Sequence, residues 1–185
     1  MIKIFFLVVF LLGLVYLTLP GPSKIENFKA LPNSRESRAW WDNDYSNSRS
    51  FFTNQYRTSV TGFYLEDFKQ KNILATLIPP MKLNHPPEDA KIFIQNEQRS
   101  TYLEEYFYPF RESFFVNGFE PYDVTGKPVI REMKLVILDG IKYNSLVNIR
   151  LYHSSIFWRV LVYLGIWLSL ILLFKVFKKA LRIYK

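Results

Sequence analysis

Residues 156–185, IFWRVLVYLGIWLSLILLFKVFKKALRIYK, constrain this chain more than any other stretch. About nineteen mostly apolar positions, 156–174, precede a tail that holds Lys175, Lys178, Lys179, Arg182 and Lys185 and no acid. At about 1.5 Å per helical residue such a run extends roughly 28 Å, close to the hydrocarbon thickness of a bilayer. A cluster of positive charge beside a span marks its cytoplasmic end. The expectation is a transmembrane helix over 156–174 with a basic amphipathic tail, 175–185, on the cytoplasmic leaflet. In that tail Phe177, Leu181 and Tyr184 form one apolar stripe with the lysines beside it.

The opposite end carries a second apolar run, IFFLVVFLLGLVYLTL, after a short start with Lys3. It resembles the apolar part of a signal peptide but ends in Leu19-Pro20-Gly21-Pro22, without a small-residue cleavage pattern. Residues 1–19 are therefore expected to stay as a signal anchor with a cytoplasmic amino end. Both termini would then lie inside and the middle outside, in the cell membrane. The lipid bilayer is the first partner this implies.

The net charge of +8 follows the same division. All sixteen acids fall between Glu26 and Asp139, and the middle region 20–155 that contains them also holds seventeen Lys and Arg, which nearly balance them. The basic excess sits in Lys3, Arg159 and the tail, so it is a topology signal and no nucleic-acid partner is expected. With no cysteine in the chain, thiol nucleophiles and Cys-bound zinc or iron–sulfur clusters are excluded. No Asn-x-Ser/Thr sequon occurs, in keeping with a prokaryotic envelope protein.

Between the two runs the expectation is an α+β domain, about two helices on one face of a mostly antiparallel sheet of four to six strands. Residues 20–48 read as an irregular lead-in and 49–155 as the domain. A strand is expected at 50–54. A helix over 55–71 would bury Tyr56, Val60, Phe63, Tyr64 and Phe68 at helical spacing. A strand over 72–78 stops at Pro79-Pro80. His85-Pro86-Pro87-Glu88-Asp89 reads as a helix start, because proline is tolerated and acids are favoured in a first turn. That helix would run to about Arg99 and bury Ala90, Ile92, Phe93 and Ile94.

Residues 101–117 are dense in aromatics, which favours strands, and Pro109 divides them into two extended segments. Thr101 and Glu104 also have the spacing of a helix capping box. A strand over 131–138, a turn at Asp139-Gly140 and a strand over 143–153 complete the domain. In the last of these Val147, Ile149 and Leu151 alternate with polar residues.

Interaction candidates are Trp40 and Trp41 in polar surroundings, and Tyr102, Tyr106, Tyr108, Phe110 and Phe114 in the aromatic stretch. Gly165 and Ser169 form a small-x-x-x-small pair for helix packing, with Gly13 as the facing residue. Arg159, beside the outer interface with Trp158 and Tyr152, is placed to extend its guanidinium outward.

Three constellations resemble reactive chemistry. His85 with Glu88 and Asp89 lacks a further metal ligand, and its acids suit a helix start. Asp42-Asn43-Asp44 resembles a cation-binding D-x-D, but the calcium-loop positions that require Gly and Glu hold Asn47 and Thr53, leaving an Asx turn. Glu104-Glu105 and Arg111-Glu112 bracket aromatics as in sugar-cleaving sites, yet adjacent Glu residues on a strand point to opposite faces. They are expected as charges on the wet face of the sheet. His153 is assigned to the membrane border.

No catalytic residue, metal or cofactor is expected. The leading function is a non-catalytic envelope protein whose outer domain assembles with another membrane or envelope protein. A ligand-binding or sensory ectodomain with an aromatic pocket is the alternative, and an envelope glycan or lipid enzyme a weaker one.

Overall fold

The computed structural model describes residues 2–37, 47–94, 100–119 and 136–183. Trp40, Trp41, Asp42, Asn43, Asp44, Tyr184 and Lys185 lie outside these, as do the side chain of Arg182 and residues 131–135 of one expected strand. The chain forms two compact units, Pro20–His153 and the pair Met1–Leu19 with Ser154–Lys185.

Pro20–His153 is α+β. Its six-stranded sheet contains β1 (Arg35–Glu36), β2 (Ser48–Thr53), β3 (Met81–His85), β4 (Tyr102–Phe107), β5 (Glu112–Gly118) and β8 (Ser145–His153). The order is β1-β2-β8-β5-β4-β3, with every pairing antiparallel. β6 (Val136–Leu138) and β7 (Ile141–Tyr143) form a separate hairpin. At its tip Asp139 and Gly140 both have positive φ, the conformation of a type I′ turn, whose twist matches that of the strands.

Register explains which side chains form the core. Tyr106 pairs with Phe114, Phe114 with Leu151, Val116 with Ile149 and Phe51 with Val147, so these residues share one face. The helix α2 (Arg57–Lys71) covers it with Val60, Tyr64 and Phe68, all buried. Phe28 closes the stack, its ring 4.2 Å from Phe114 and nearly parallel to it. Within residues 20–48, expected as an irregular lead-in, Ile25, Phe28 and Leu31 are buried and Arg35–Glu36 forms a strand.

The opposite face carries Leu103 and Phe115, which pack with Ala90 and Ile94 around the short helix α3 (Ala90–Phe93). The two helices of this unit thus lie on opposite faces of the sheet, and the expected one-sided layer is corrected. The sequence had no single helix long enough to cover the second face. Instead, Arg150 and Tyr152 donate to the Phe93 carbonyl and help to hold the short turn in place.

Several local expectations also change. Residues 73–76 form a 3-10 turn, not a strand: Asn72 Nδ2 donates to the Phe68 carbonyl and ends α2, and of Ile73, Leu74, Leu77 and Ile78 only Leu74 is buried. The strand begins after the prolines, at Met81. The expected helix over 84–99 does not begin at the prolines: in the described part, 84–94, His85 still pairs in β3 and a 3-10 turn over Pro87–Asp89 leads into four helical residues. Ile92 is exposed there, and so is Tyr56 ahead of α2. Thr101 and Glu104 form no cap because β4 pairs with β5 through this stretch. The division at Pro109 into β4 and β5 is as expected.

The second unit contains α1 (Ile2–Thr18) and α4 (Ile156–Ile183). One helix, Ile156–Leu181, is long and apolar enough to cross a membrane, with a mean hydropathy of 2.4 in its most apolar window, none of which is buried. α1 is apolar but has 17 residues, about 25 Å of helix. Phe6 meets Trp167, and Phe10 meets Trp167 and stacks on Tyr163 at 5.7 Å, so the two helices run antiparallel. Tyr163 Oη donates to the Phe10 carbonyl at 3.1 Å.

Gly13 faces α4, but its neighbour is Tyr163, whose ring occupies the space of any side chain at position 13. A methyl at Gly165 would meet nothing, and Ser169 Oγ donates to the Gly165 carbonyl of its own helix. Packing therefore sets an aromatic ring against a glycine instead of pairing small residues. Gly13→Leu is expected to weaken the helix pair by roughly 1–3 kcal/mol through overpacking. The readout is a lower SDS concentration for loss of the α1–α4 contact in detergent-solubilised chain, measured by energy transfer between labels on the two helices.

Candidate functional site

The turn between β4 and β5 organises one end of the sheet. Arg111 N donates to the Tyr108 carbonyl at 3.0 Å and Tyr108 N to the Glu112 carbonyl at 3.1 Å. Pro109 then occupies the second position of the turn, where its fixed φ fits, and Phe110 the third, with φ +63°. That is the position a type II turn normally gives to glycine. Phe110 adopts it and stands exposed, while Tyr108 is buried and donates from its hydroxyl to the Ile78 carbonyl.

Beside the turn, Arg111 and Glu112 form an ion pair whose side chains are both 0% exposed, with Nη2 and Oε1 3.2 Å apart. Arg111 Nη2 also donates to the Pro20 carbonyl at 3.3 Å. Gly21 passes so close that a Cβ there would lie 2.8 Å from Glu112 Oε1 and 2.9 Å from Arg111 Nη2. Glu112 is in register with His153, the last residue of β8. The chain thus begins and ends this unit at one end of the sheet, joined through a buried ion pair. Next to Pro20 an open groove of about 580 Å³ includes Gly21, Pro22, Lys69, Lys71 and Thr76 in its wall.

A second polar cluster lies on the α2 face. The Glu104 carboxylate is buried, with Oε1 accepting from Arg57 at 2.8 Å and Oε2 from Lys82 at 2.7 Å and from Tyr106 Oη at 2.7 Å. Arg57 also lies over the Tyr102 ring, 5.2 Å from its centroid. Burial by itself would raise the Glu104 pKa, but the hydrogen bonds from Lys82, Tyr106 and Arg57 outweigh it and hold the group below its ordinary value of 4.5. For Tyr106, burial and then the Glu104 carboxylate push the pKa up, so it remains a donor.

Glu104, Arg111 and Glu112 are buried and thus contradict the wet-face expectation, although Glu105 does point away from Glu104 and sits 2.8 Å from His85 Nε2. His85 also packs against Phe93 and Phe115, so its partner is Glu105 and not the acids of the next turn. Among the described residues no three His, Asp or Glu side chains converge as a metal-binding group.

Because the Glu104 pKa is depressed in the folded chain, its stabilising contribution is complete above the unfolded value. It is lost as pH falls from about 4.5 through the lower folded value. Glu104→Gln is expected to flatten the acid limb of stability in that range, as read by near-UV circular dichroism of the full chain during acid titration.

The other sequence candidates divide clearly. Tyr102, Tyr106, Tyr108 and Phe114 are buried and pack in or beside the core, and Phe110 alone of that group is exposed. Lys175, Lys178 and Lys179 are exposed, whereas Arg159 is buried and donates from Nε to Ser154 Oγ at 2.9 Å. Sequence reasoning missed both ion clusters. One signal was available: Glu104 alternates with Tyr102 and Tyr106 in a strand, and an acid in such a stripe requires donors from elsewhere. Compared with known proteins, the chain matches no family model, no curated protein and no solved structure.

Proposed function

We propose that the chain is a non-catalytic, two-span protein of the cell membrane. It presents the α+β unit on the extracytoplasmic side, where that unit assembles with another membrane or envelope protein. The observation that carries this reading is the junction at Arg111 and Glu112. It gathers Pro20, which follows the first apolar helix, and the end of β8, which precedes α4, at one end of the sheet. A domain that leaves and re-enters one membrane surface needs its two connections side by side.

The charge distribution supports the same reading, with exposed Lys175, Lys178 and Lys179 following the apolar part of α4 on a cytoplasmic terminus. The polar side chains favour a non-catalytic role. Glu104 is held by three donors, Glu112 lies against Arg111 and Glu105 against His85, which gives each a structural task. The buried aromatics form the core instead of lining a pocket, so the ligand-binding alternative receives little support from them.

Alkaline phosphatase fused within the middle unit should be active, and fusions at either terminus inactive. Gentle detergent extraction should recover the chain in a complex with a second protein. An active terminal fusion would overturn the topology, and recovery of a lone monomer would overturn the assembly role.

A further inference from the structure

We propose that the apolar rim formed by Leu77, Ile78, Met81 and Phe110 inserts into the interfacial layer of the lipid bilayer. This rests on the reading of α4 as a membrane span, and it adds a second lipid contact made by the folded unit itself.

The four side chains are unusually bare, at 81%, 52%, 52% and 69% exposed. They belong to one end of the sheet: Met81 is in register with Phe107 at the close of β4, Ile78 accepts from Tyr108, and Phe110 is the tip of the same turn. It is also the end that holds Pro20 and His153. Only Ser154 and Ser155 separate His153 from α4, and the three Cα–Cα steps between them reach at most about 11 Å. With α4 across a bilayer, the end of the sheet that carries the rim is the end tethered to the span.

Two features favour lipid over a protein groove as the occupant. The first is the continuity of the rim with the chain that enters the span. The second is the neighbouring groove wall, where Lys71, and Lys69 with its partner Glu66 at 3.6 Å, lie beside Pro20, Pro22 and Ile73, a basic and apolar mixture suited to an anionic headgroup layer. The backbone of Phe110 agrees. A bulky residue at φ +63° is disfavoured, and a turn that could hold glycine instead projects a ring outward. Ile141 provides an internal contrast. It is 54% exposed but belongs to the opposite end, where Asn54, just past the end of β2, binds the Lys142 carbonyl.

The chain has no cysteine, so each single replacement accepts one fluorescent label. Full-length Leu77→Cys, Phe110→Cys, Ile141→Cys and Leu168→Cys would be labelled and reconstituted in phosphatidylethanolamine–phosphatidylglycerol vesicles. Lipids brominated near the headgroup, lipids brominated deep in the chain, and aqueous iodide serve as quenchers. Labels at 77 and 110 should be quenched by shallow bromine about threefold more than the label at 141, with iodide showing the reverse order.

Equal quenching at 77, 110 and 141, with Leu168 quenched by deep bromine, would overturn the rim contact and leave the span intact. A label at 168 that deep bromine does not reach would overturn both. Shielding of position 110 from lipid and iodide alike would overturn the lipid assignment in favour of contact with a second protein copy. Two rim positions are labelled so that a local effect at the turn cannot decide the result.

Discussion

Arg111→Met is expected to destabilise the full chain by about 3–5 kcal/mol, because it leaves the Glu112 carboxylate buried without its cation. Both side chains are fully enclosed, and the Pro20 carbonyl would lose a donor in the same step. The magnitude comes from the stranded charge more than from the lost attraction. The double variant Arg111→Met, Glu112→Gln should therefore recover most of the loss, since removing both charges removes the desolvation penalty. Urea unfolding in detergent micelles, followed by near-UV circular dichroism, measures both. A single variant as stable as the parent would show that water reaches the pair. The single variant should also expose the chain to proteolysis near Gly21, where the junction holds it.

Phe114→Ala should have an effect of similar size, about 3–5 kcal/mol, for a different reason. The Phe114 ring stacks on Phe28 at 4.2 Å and lies 5.8 Å from both Phe68 and Tyr64. It therefore joins the amino-terminal segment, α2 and β5 at a single point. These rings are held by a sheet on one side and a helix on the other, so collapse into the vacated space is restricted and a cavity remains. Phe114→Leu keeps much of the volume and should lose less than half as much. The same unfolding assay separates the two, and equal losses would show that shape matters more here than volume.

Much of the architecture was legible where one face of an element is buried and the other is not. The spacing of Val60, Tyr64 and Phe68 marked α2, and Val147, Ile149 and Leu151 marked β8, because a sheet and a helix each impose their own period on the side chains they bury. Pro109 divided β4 from β5 for a local reason, the missing N–H and fixed φ. The strand β3 was not legible because it is an edge strand with Met81 and Leu83 exposed, so its residues Met-Lys-Leu-Asn-His carry no inward stripe. The apolar letters of 73–78 misled in the opposite sense, for they read as buried and mostly face outward.

The candidate site was harder to see, since its bonds close over long separations. Glu104 meets Arg57 across 47 positions and Arg111 meets Pro20 across 91. Arg111 and Glu112 are neighbours in sequence, but the burial that makes their pairing matter comes from Pro20 and Gly21, which no local window contains. Phe110 was recognised as a candidate, but its left-handed backbone was not, because Pro109 indicates a turn without naming the residue that must adopt positive φ.

The margins of the sheet have a consequence for the proposed placement of the chain in a bilayer. β1 is two residues long, with Arg35 ion-paired to Asp139 and Glu36 to Arg49. At the other margin β3 has five residues, and Lys82 in its middle turns onto the sheet face to pair with Glu104. Among the described residues neither border offers a long row of amide groups on which a neighbouring copy could extend the hydrogen-bond ladder. Diffusion in two dimensions brings like molecules together far more often than diffusion in bulk water. In the proposed bilayer setting, borders without such a row favour separation after an encounter over strand-to-strand pairing.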